Sequence, residues 1–156
     1  MTYSLVCRIN ISIMRKLLIV LITLISFSTL QAQSFTGQGD QKLQAGFTFY
    51  GYGTGIKATY DYGLNESFSI GVGANFFNSG IYSSGFFIFG RGDYHFQEII
   101  DIPNELDVYI GAELGLIGKS NFGIGGHIGA RYEFANNLSA FLEVGNNGAI
   151  GVTLSL

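Results

Sequence analysis

The chain has 156 residues and a formal net charge of −3, with 12% charged and 47% hydrophobic residues. Soluble proteins carry roughly 25% charged residues, so few side chains are left here to cover a water-exposed surface. The length fits one domain. From Gln33 onward, five basic side chains stand against eleven acidic ones, a formal charge of −6. No basic patch results, and we expect no nucleic-acid partner.

Residues 1–32 have the pattern of a secretory signal peptide. Met14-Arg15-Lys16 is a positive start, an apolar run follows from residue 17 to 27, and Leu30-Gln31-Ala32 is a small-residue cleavage site. Cleavage is predicted between Ala32 and Gln33, and residues 1–13 fit a mis-called translation start. The alternative is a permanent transmembrane helix, which normally needs about 18 apolar residues or more.

The only cysteine, Cys7, lies in this leader. The mature part would therefore have no disulfide, no thiolate zinc site and no cysteine nucleophile. After it, residues 33–40 are predicted to be a short polar tail, and residues 41–156 one β-barrel domain.

Period-2 alternation begins at about residue 41 and continues to the C-terminus, which predicts strands rather than helices. Eight strands are predicted, at about 42–51, 55–62, 67–77, 85–96, 106–116, 122–134, 138–145 and from 149 to the end. In the sixth, Phe122, Ile124 and Ile128 alternate with His127 and Arg131. Ordinary strands have about five or six residues, whereas a strand that crosses a bilayer needs about 9–11. The sequence therefore predicts membrane-crossing strands with the apolar face toward lipid.

An open sheet edge in lipid would leave backbone groups unpaired, so the first strand is expected to pair with the eighth. The predicted fold is all-β, an eight-stranded antiparallel up-and-down transmembrane barrel. Aromatic residues fall at the strand ends and predict two interfacial girdles. The girdle expected on the periplasmic side comprises Tyr60, Tyr62, Phe68, Tyr94, Phe96, Tyr132 and Phe134. The girdle expected on the external side includes Phe76, Phe86 and Phe122.

The inward faces are expected to hold most of the charge. The predicted interior network comprises Lys57, Asp61, Arg91, Asp93, His95, Glu113, His127, Arg131, Glu133 and Glu143. An eight-stranded barrel is filled by its own side chains, and buried charges must be paired. We therefore expect a paired interior network rather than a channel lining. The excess of acid predicts that one or two carboxylates are protonated or reach water.

With a signal peptide, eight alternating strands and an apolar last residue, the chain resembles the small outer-membrane β-barrels of the OmpA-transmembrane and OmpX type, especially short barrels of Bacteroidota. The resemblance covers residues 33–156. Such barrels usually end in an aromatic residue that is read by the assembly machinery, whereas this chain ends in Leu156. The resemblance implies a place and a fold rather than an activity.

Three residue patterns are candidate sites. Arg91-Gly92-Asp93 spells an adhesion tripeptide, but it is predicted to lie mid-strand on the inner face. His127 with Glu113 or Glu133 suggests acid–base chemistry, and His95 with His127 suggests a metal, yet neither has a supporting spacing. No catalytic, cofactor-binding or metal-binding residue is predicted.

The resulting hypothesis is a non-catalytic, monomeric barrel in the outer membrane of a Gram-negative bacterium, with a structural or surface-interaction role. Its expected partners are outer-membrane lipid and the assembly machinery. The alternatives are a lipid-modifying enzyme using Ser83, Ser84 or Ser120, a small-ligand carrier or narrow pore, and a soluble lipocalin-like barrel. The last of these would place the apolar side chains inside.

Overall fold

A computed structural model describes residues 34–78, 85–97, 99, 102–118 and 121–156. The predicted leader and its cleavage point, Ala32 and Gln33, lie outside the described residues. The described part contains eight strands: β1 Gln41–Tyr50, β2 Thr54–Gly63, β3 Phe68–Asn78, β4 Gly85–His95, β5 Leu106–Ile117, β6 Asn121–Ala135, β7 Leu138–Gly145 and β8 Gly148–Ser155. No helix in these ranges is long and apolar enough to cross a membrane.

The eight strands form one closed antiparallel barrel in sequence order. β1 pairs with β2 along one edge and with β8 along the other, where Lys42 lies opposite Ser155 and Phe47 opposite Ile150. The predicted fold class is therefore confirmed, including closure between the first and last strands. The predicted strand positions agree with the observed ones to within a few residues, and β6 is the longest at 15 residues.

The two ends of the barrel are called the N-terminal end and the far end. At the N-terminal end β1 begins and β8 finishes, and residues 64–67, 96–105 and 136–137 connect the other strands there. At the far end the connections are residues 51–53, 79–84, 118–120 and 146–147. The short 136–137 turn contains Asn137, which has a left-handed backbone with φ of 61°, a conformation that asparagine tolerates better than most residues.

Alternation assigns each side chain to the inside or the outside of the wall. In β6, Ile124 is 70% exposed and Arg131 is fully buried. The lipocalin-like alternative required the opposite arrangement, with the apolar set inside. The structure contradicts that alternative because the charged set occupies the interior.

Candidate functional site

The barrel interior collects the chemistry-bearing side chains of the chain. All ten residues of the predicted network are buried, each at 5% relative exposure or less. They reach the interior because each occupies an inward position in the period-2 pattern of its strand. Seven of the ten form ion pairs with other buried side chains, and His95 and His127 each lie within 3 Å of an aspartate carboxylate. Among the described residues, Glu133 has no such pair.

Arg91 lies at the centre of the network. Its Nε donates to Asp93 Oδ2 at 2.8 Å, its Nη2 also lies 2.8 Å from that oxygen, and its Nη1 donates to Glu143 Oε1 at 2.9 Å. Asp61 Oδ1 lies 3.5 Å from Nε. Because guanidinium has a planar fork of donors, one arginine holds carboxylates from three strands.

Arg131 and Lys57 extend the network in opposite directions. Arg131 donates to Asp61 Oδ2 at 2.8 Å and to Asp107 Oδ2 at 3.1 Å. Lys57 Nζ lies 2.5 Å from Glu113 Oε1 and 2.8 Å from Glu143 Oε2. Asp61 is therefore shared by the two arginines, and Glu143 by Lys57 and Arg91, so the three cations form one continuous cluster.

Tyr109 packs within this cluster. Its ring lies beside both guanidinium groups, with the Arg131 Cζ 4.3 Å and the Arg91 Cζ 5.7 Å from its centroid. Its hydroxyl donates to Glu143 Oε1 at 2.9 Å. The tyrosine ring is thus within cation–π distance of both guanidinium groups, an interaction that is stronger when it is desolvated.

The two histidines have different surroundings. His127 Nε2 lies 2.9 Å from Asp93 Oδ1 and 2.8 Å from Arg91 Nη2, while its Nδ1 has no hydrogen-bond partner. His127 Nδ1 is 3.6 Å from Glu113 Oε1, and the nearest ion pair of Glu113 is with Lys57. The acid–base pairing of His127 with Glu133 is not formed, since Glu133 instead accepts a hydrogen bond from the Asn137 backbone at 3.2 Å.

His95 joins Ser69 and Asp107 in the atom order of a serine-hydrolase triad. Ser69 Oγ lies 2.9 Å from Nε2, and Asp107 Oδ1 lies 2.8 Å from Nδ1. Ser69 is only 3% exposed, and Phe35 stacks on the imidazole with ring centroids 3.6 Å apart. A substrate carbonyl has no route to Ser69 in this arrangement, so the three residues act as a buried hydrogen-bonded chain.

Lys42, Gln44, Asp107 and Tyr109 are among the buried residues that the predicted network did not include. Lys42 pairs with Asp40 at 3.0 Å, and Gln44 links Thr59, Asp61, Arg131 and Thr153. Asp107 and Tyr109 complete the set. All four occupy inward positions in the alternation of β1 or β5, so the period alone could have identified them.

Aromatic side chains fill the far end of the interior. Phe77, Phe87 and Phe89 form a buried cluster, against which Tyr52 and Ile117 pack. Tyr52 reaches inward because its backbone N–H donates to Asn147 Oδ1 at 2.9 Å. Burial raises the pKa of the Tyr52 hydroxyl, and the Glu113 carboxylate raises this pKa further.

The remaining candidates are the Arg91-Gly92-Asp93 tripeptide, a metal site and the three serines of the lipid-modifying alternative. Arg91 and Asp93 are 4% and 2% exposed, so the Arg91-Gly92-Asp93 tripeptide is buried in the wall and unavailable for adhesion. Across residues 34–78, 85–97, 99, 102–118 and 121–156, no group of three or more His, Cys, Asp or Glu has the arrangement to hold a metal ion. Ser83, Ser84 and Ser120 lie outside the described residues.

The outer surface of the barrel is the counterpart of this interior. Large apolar side chains are exposed on every strand, among them Phe47 at 68%, Val72 at 63% and Ile124 at 70%. Aromatic side chains lie near the N-terminal end, where Phe68 and Tyr94 contact edge to face with centroids 4.9 Å apart. A monomeric soluble protein rarely exposes a continuous apolar surface of this extent.

Comparison with known proteins identifies the same fold. A protein from "De novo design of transmembrane beta-barrels" superposes with a TM-score of 0.65 at 19% identity, covering 78% of this chain and 98% of the designed one. The N-terminal β-barrel domain of Pseudomonas aeruginosa OprF superposes with a TM-score of 0.57 at 17% identity, covering 78% of this chain and 100% of that domain. No family model and no curated protein matches the chain.

These likenesses concern the fold. The chain is an eight-stranded closed barrel, structurally similar to the OprF N-terminal barrel and to designed transmembrane barrels. The resemblance to OmpA-type barrels that the sequence suggested is thus supported at the level of architecture.

Proposed function

We propose that the chain is an integral outer-membrane β-barrel of a Gram-negative bacterium, with a structural or surface-interaction role and no catalysis. One observation carries the proposal: the barrel buries its charges and exposes its aliphatic side chains. Arg131 is fully buried, while Ile124, seven residues earlier in the same strand, is 70% exposed. Water favours the reverse distribution, whereas a bilayer requires apolar residues outside and tolerates polar ones inside.

In this proposal the N-terminal end faces the periplasm and the far end faces outward. Outer-membrane lipid is then the main partner, the assembly machinery inserts the barrel through its terminal strand, and the barrel works as a monomer. The OmpX-like lineage of Bacteroidota stays a prediction from the sequence.

The interior supports the absence of both catalysis and conduction. The central ion network and the Phe77–Phe87–Phe89 cluster occupy successive levels of the barrel, and an eight-stranded barrel has room for little else. A planar bilayer containing the purified protein should therefore show no stable step conductance. A reproducible, ion-selective step would favour the narrow-pore alternative.

Cell fractionation tests the location. The full chain, expressed in a Gram-negative host, should sediment with the outer membrane, resist extraction by carbonate, and migrate differently on gels with and without boiling. A soluble barrel would instead be found in the periplasmic fraction, and its recovery there would contradict the proposal. A known periplasmic protein and a known outer-membrane barrel followed in the same cells supply the two reference distributions.

A further inference from the structure

Residues 33–40 were predicted to be a short polar tail, yet residues 34–40 fold across the N-terminal end of the barrel. Ser34 is fully buried and Phe35 is 2% exposed. The Phe35 ring lies parallel to the His95 imidazole, with an interplanar angle of 5° and a centroid distance of 3.6 Å. The tail therefore covers the end of the buried chain formed by Ser69, His95 and Asp107.

Backbone contacts hold this segment in place. The Ser34 N–H donates to the Asn104 carbonyl at 2.8 Å, and the Gly39 N–H donates to the Gly63 carbonyl at 2.9 Å. The Gly63 N–H donates back to the Asp40 carbonyl at 2.8 Å. The segment also bends on itself, because the Thr36 N–H donates to Asp40 Oδ2 at 2.8 Å.

Residues 37–40 can pack against Gly63 because glycine has no side chain. A Cβ placed on Gly63 would lie 2.0 Å from the Gly37 carbonyl oxygen and 3.3 Å from the Asp40 Cβ. Gly37 itself has a left-handed φ of 84°, which glycine adopts without steric cost. The end of β2 is therefore shaped to receive this segment.

Residues 34–40 precede the strand pairings that close the wall, which start at Gln41 opposite Tyr62 and at Lys42 opposite Ser155. Closure between β1 and β8 begins at Lys42 opposite Ser155 and continues to Tyr50 opposite Gly148, beyond the end of the segment. A cavity of about 180 Å³ also lies beside it, lined by residues that include Phe35, Gly37, Gln97 and Asn104. The segment has space on one side. It is joined to the wall by the Gly39 and Asp40 backbone hydrogen bonds to Gly63 and by the ion pair between Asp40 and Lys42, whereas the pairings that close the barrel do not include it.

We propose that residues 34–40 are a lid that closes the N-terminal end of the barrel over Ser69, His95 and Asp107, and that this lid opens while the barrel stays closed. The open state is a blind, polar vestibule, since the ion network of Arg91 and Arg131 fills the barrel behind it. The proposal concerns the barrel and its tail and does not depend on where the protein resides.

A cysteine at position 69 tests the lid directly. In a Cys7→Ala background, Ser69→Cys supplies the only thiol, and a trimethylammonium methanethiosulfonate reagent reports its access to water. With the lid intact the thiol should react slowly. Adding Phe35→Ala or Gly63→Ala should raise the rate by about tenfold, the change in population that about 1.4 kcal/mol of lost lid contact produces.

Gly92→Ala is the matched control for Gly63→Ala. Gly92 faces outward, and a Cβ there would have its nearest neighbour at 4.0 Å, so the slow rate should be unchanged. Leu64→Cys, at a position that is 44% exposed, gives the rate of an open thiol. The gel shift on boiling reports whether each variant keeps its barrel.

Three results would overturn the lid. The first is an unchanged slow rate in both Phe35→Ala and Gly63→Ala with the barrel intact. The second is a parent rate at Ser69→Cys equal to that of Leu64→Cys, which would mean an open end. The third is loss of the barrel in both lid variants, which would show that the segment is part of the fold rather than a separable lid.

Discussion

Glu143 accepts hydrogen bonds from three side chains while showing no exposed surface. Lys57 lies 2.8 Å, and Arg91 and Tyr109 each 2.9 Å, from its carboxylate oxygens. Removing one partner of a buried ion pair leaves the other charge uncompensated, which is more costly than the pair itself is favourable. We therefore expect the loss of the Glu143 carboxylate to destabilise the barrel strongly.

Glu143→Gln should lower the free energy of unfolding by about 3 kcal/mol, because Lys57 and Arg91 both lose a charged acceptor. Urea unfolding of protein folded in lipid vesicles measures this change. Glu133→Gln is the matched control: Glu133 is also buried, at 5% exposure, and accepts a backbone hydrogen bond from Asn137, but it has no ion pair with a described residue. It should cost about 1 kcal/mol or less, and equal losses in the two variants would contradict the assigned network.

Gly129 makes the space that Tyr109 occupies. A Cβ on Gly129 would lie 2.3 Å from the tyrosine Cζ, so Gly129→Ala should overpack the interior and destabilise the barrel by about 1–3 kcal/mol. Gly126→Ala, whose nearest neighbour would be at 3.6 Å on the outer face, should be neutral or stabilise by about 0.4–1 kcal/mol. The same urea titration distinguishes them, and a neutral Gly129→Ala would show that Tyr109 is displaced easily.

Strand β6 shows how much of each element was contained in the sequence. Alternation predicted its inward and outward faces correctly from Phe122 to Phe134. A shift of one residue would have turned every side chain to the other face and exposed Arg131. The alternation could not predict which side chains on other strands these inward residues contact. Arg131 and Asp61 are 70 residues apart, and their contact depends on a register that only the closed barrel defines.

Two short segments were missed for a different reason. Phe35 stands alone in a polar stretch, so no periodicity indicates that it packs on His95. Tyr52 lies in a turn between β1 and β2, where alternation ends and the Asn147 side chain decides the direction of the loop. In both cases a single contact from a distant part of the chain overrides the local composition.

The outward face of β6 also predicts how a charge would behave there. Ile128 lies midway between the aromatic ends of the strand and is 52% exposed. Ile128→Lys should destabilise the membrane-inserted barrel by about 2–4 kcal/mol, measured by urea unfolding from vesicles. Ile99→Lys, in the β4–β5 connection at 66% exposure, should have little effect, and equal tolerance of both lysines would argue against lipid contact at Ile128.

At the scale of the whole molecule, the barrel is organised as an inside-out protein. Most of the buried charges form one connected cluster at the centre, aromatic residues fill the far end, and the tail covers the N-terminal end. Large apolar side chains cover the outside. The alternation of each strand places charged side chains inside and apolar side chains outside. This distribution is stable only if hydrocarbon rather than water surrounds the wall.

The absence of tryptophan from the sequence makes this requirement directly measurable. Ile128→Trp places a single reporter at the middle of the outer face, and Leu64→Trp places one in the β2–β3 turn. The full chain is folded into vesicles whose lipids carry bromine atoms near the middle of the acyl chains, and tryptophan fluorescence is recorded. If hydrocarbon surrounds the wall, the emission should be blue-shifted and strongly quenched for Ile128→Trp and weakly quenched for Leu64→Trp. Emission from Ile128→Trp that is red-shifted and unquenched would contradict the presence of hydrocarbon around the wall.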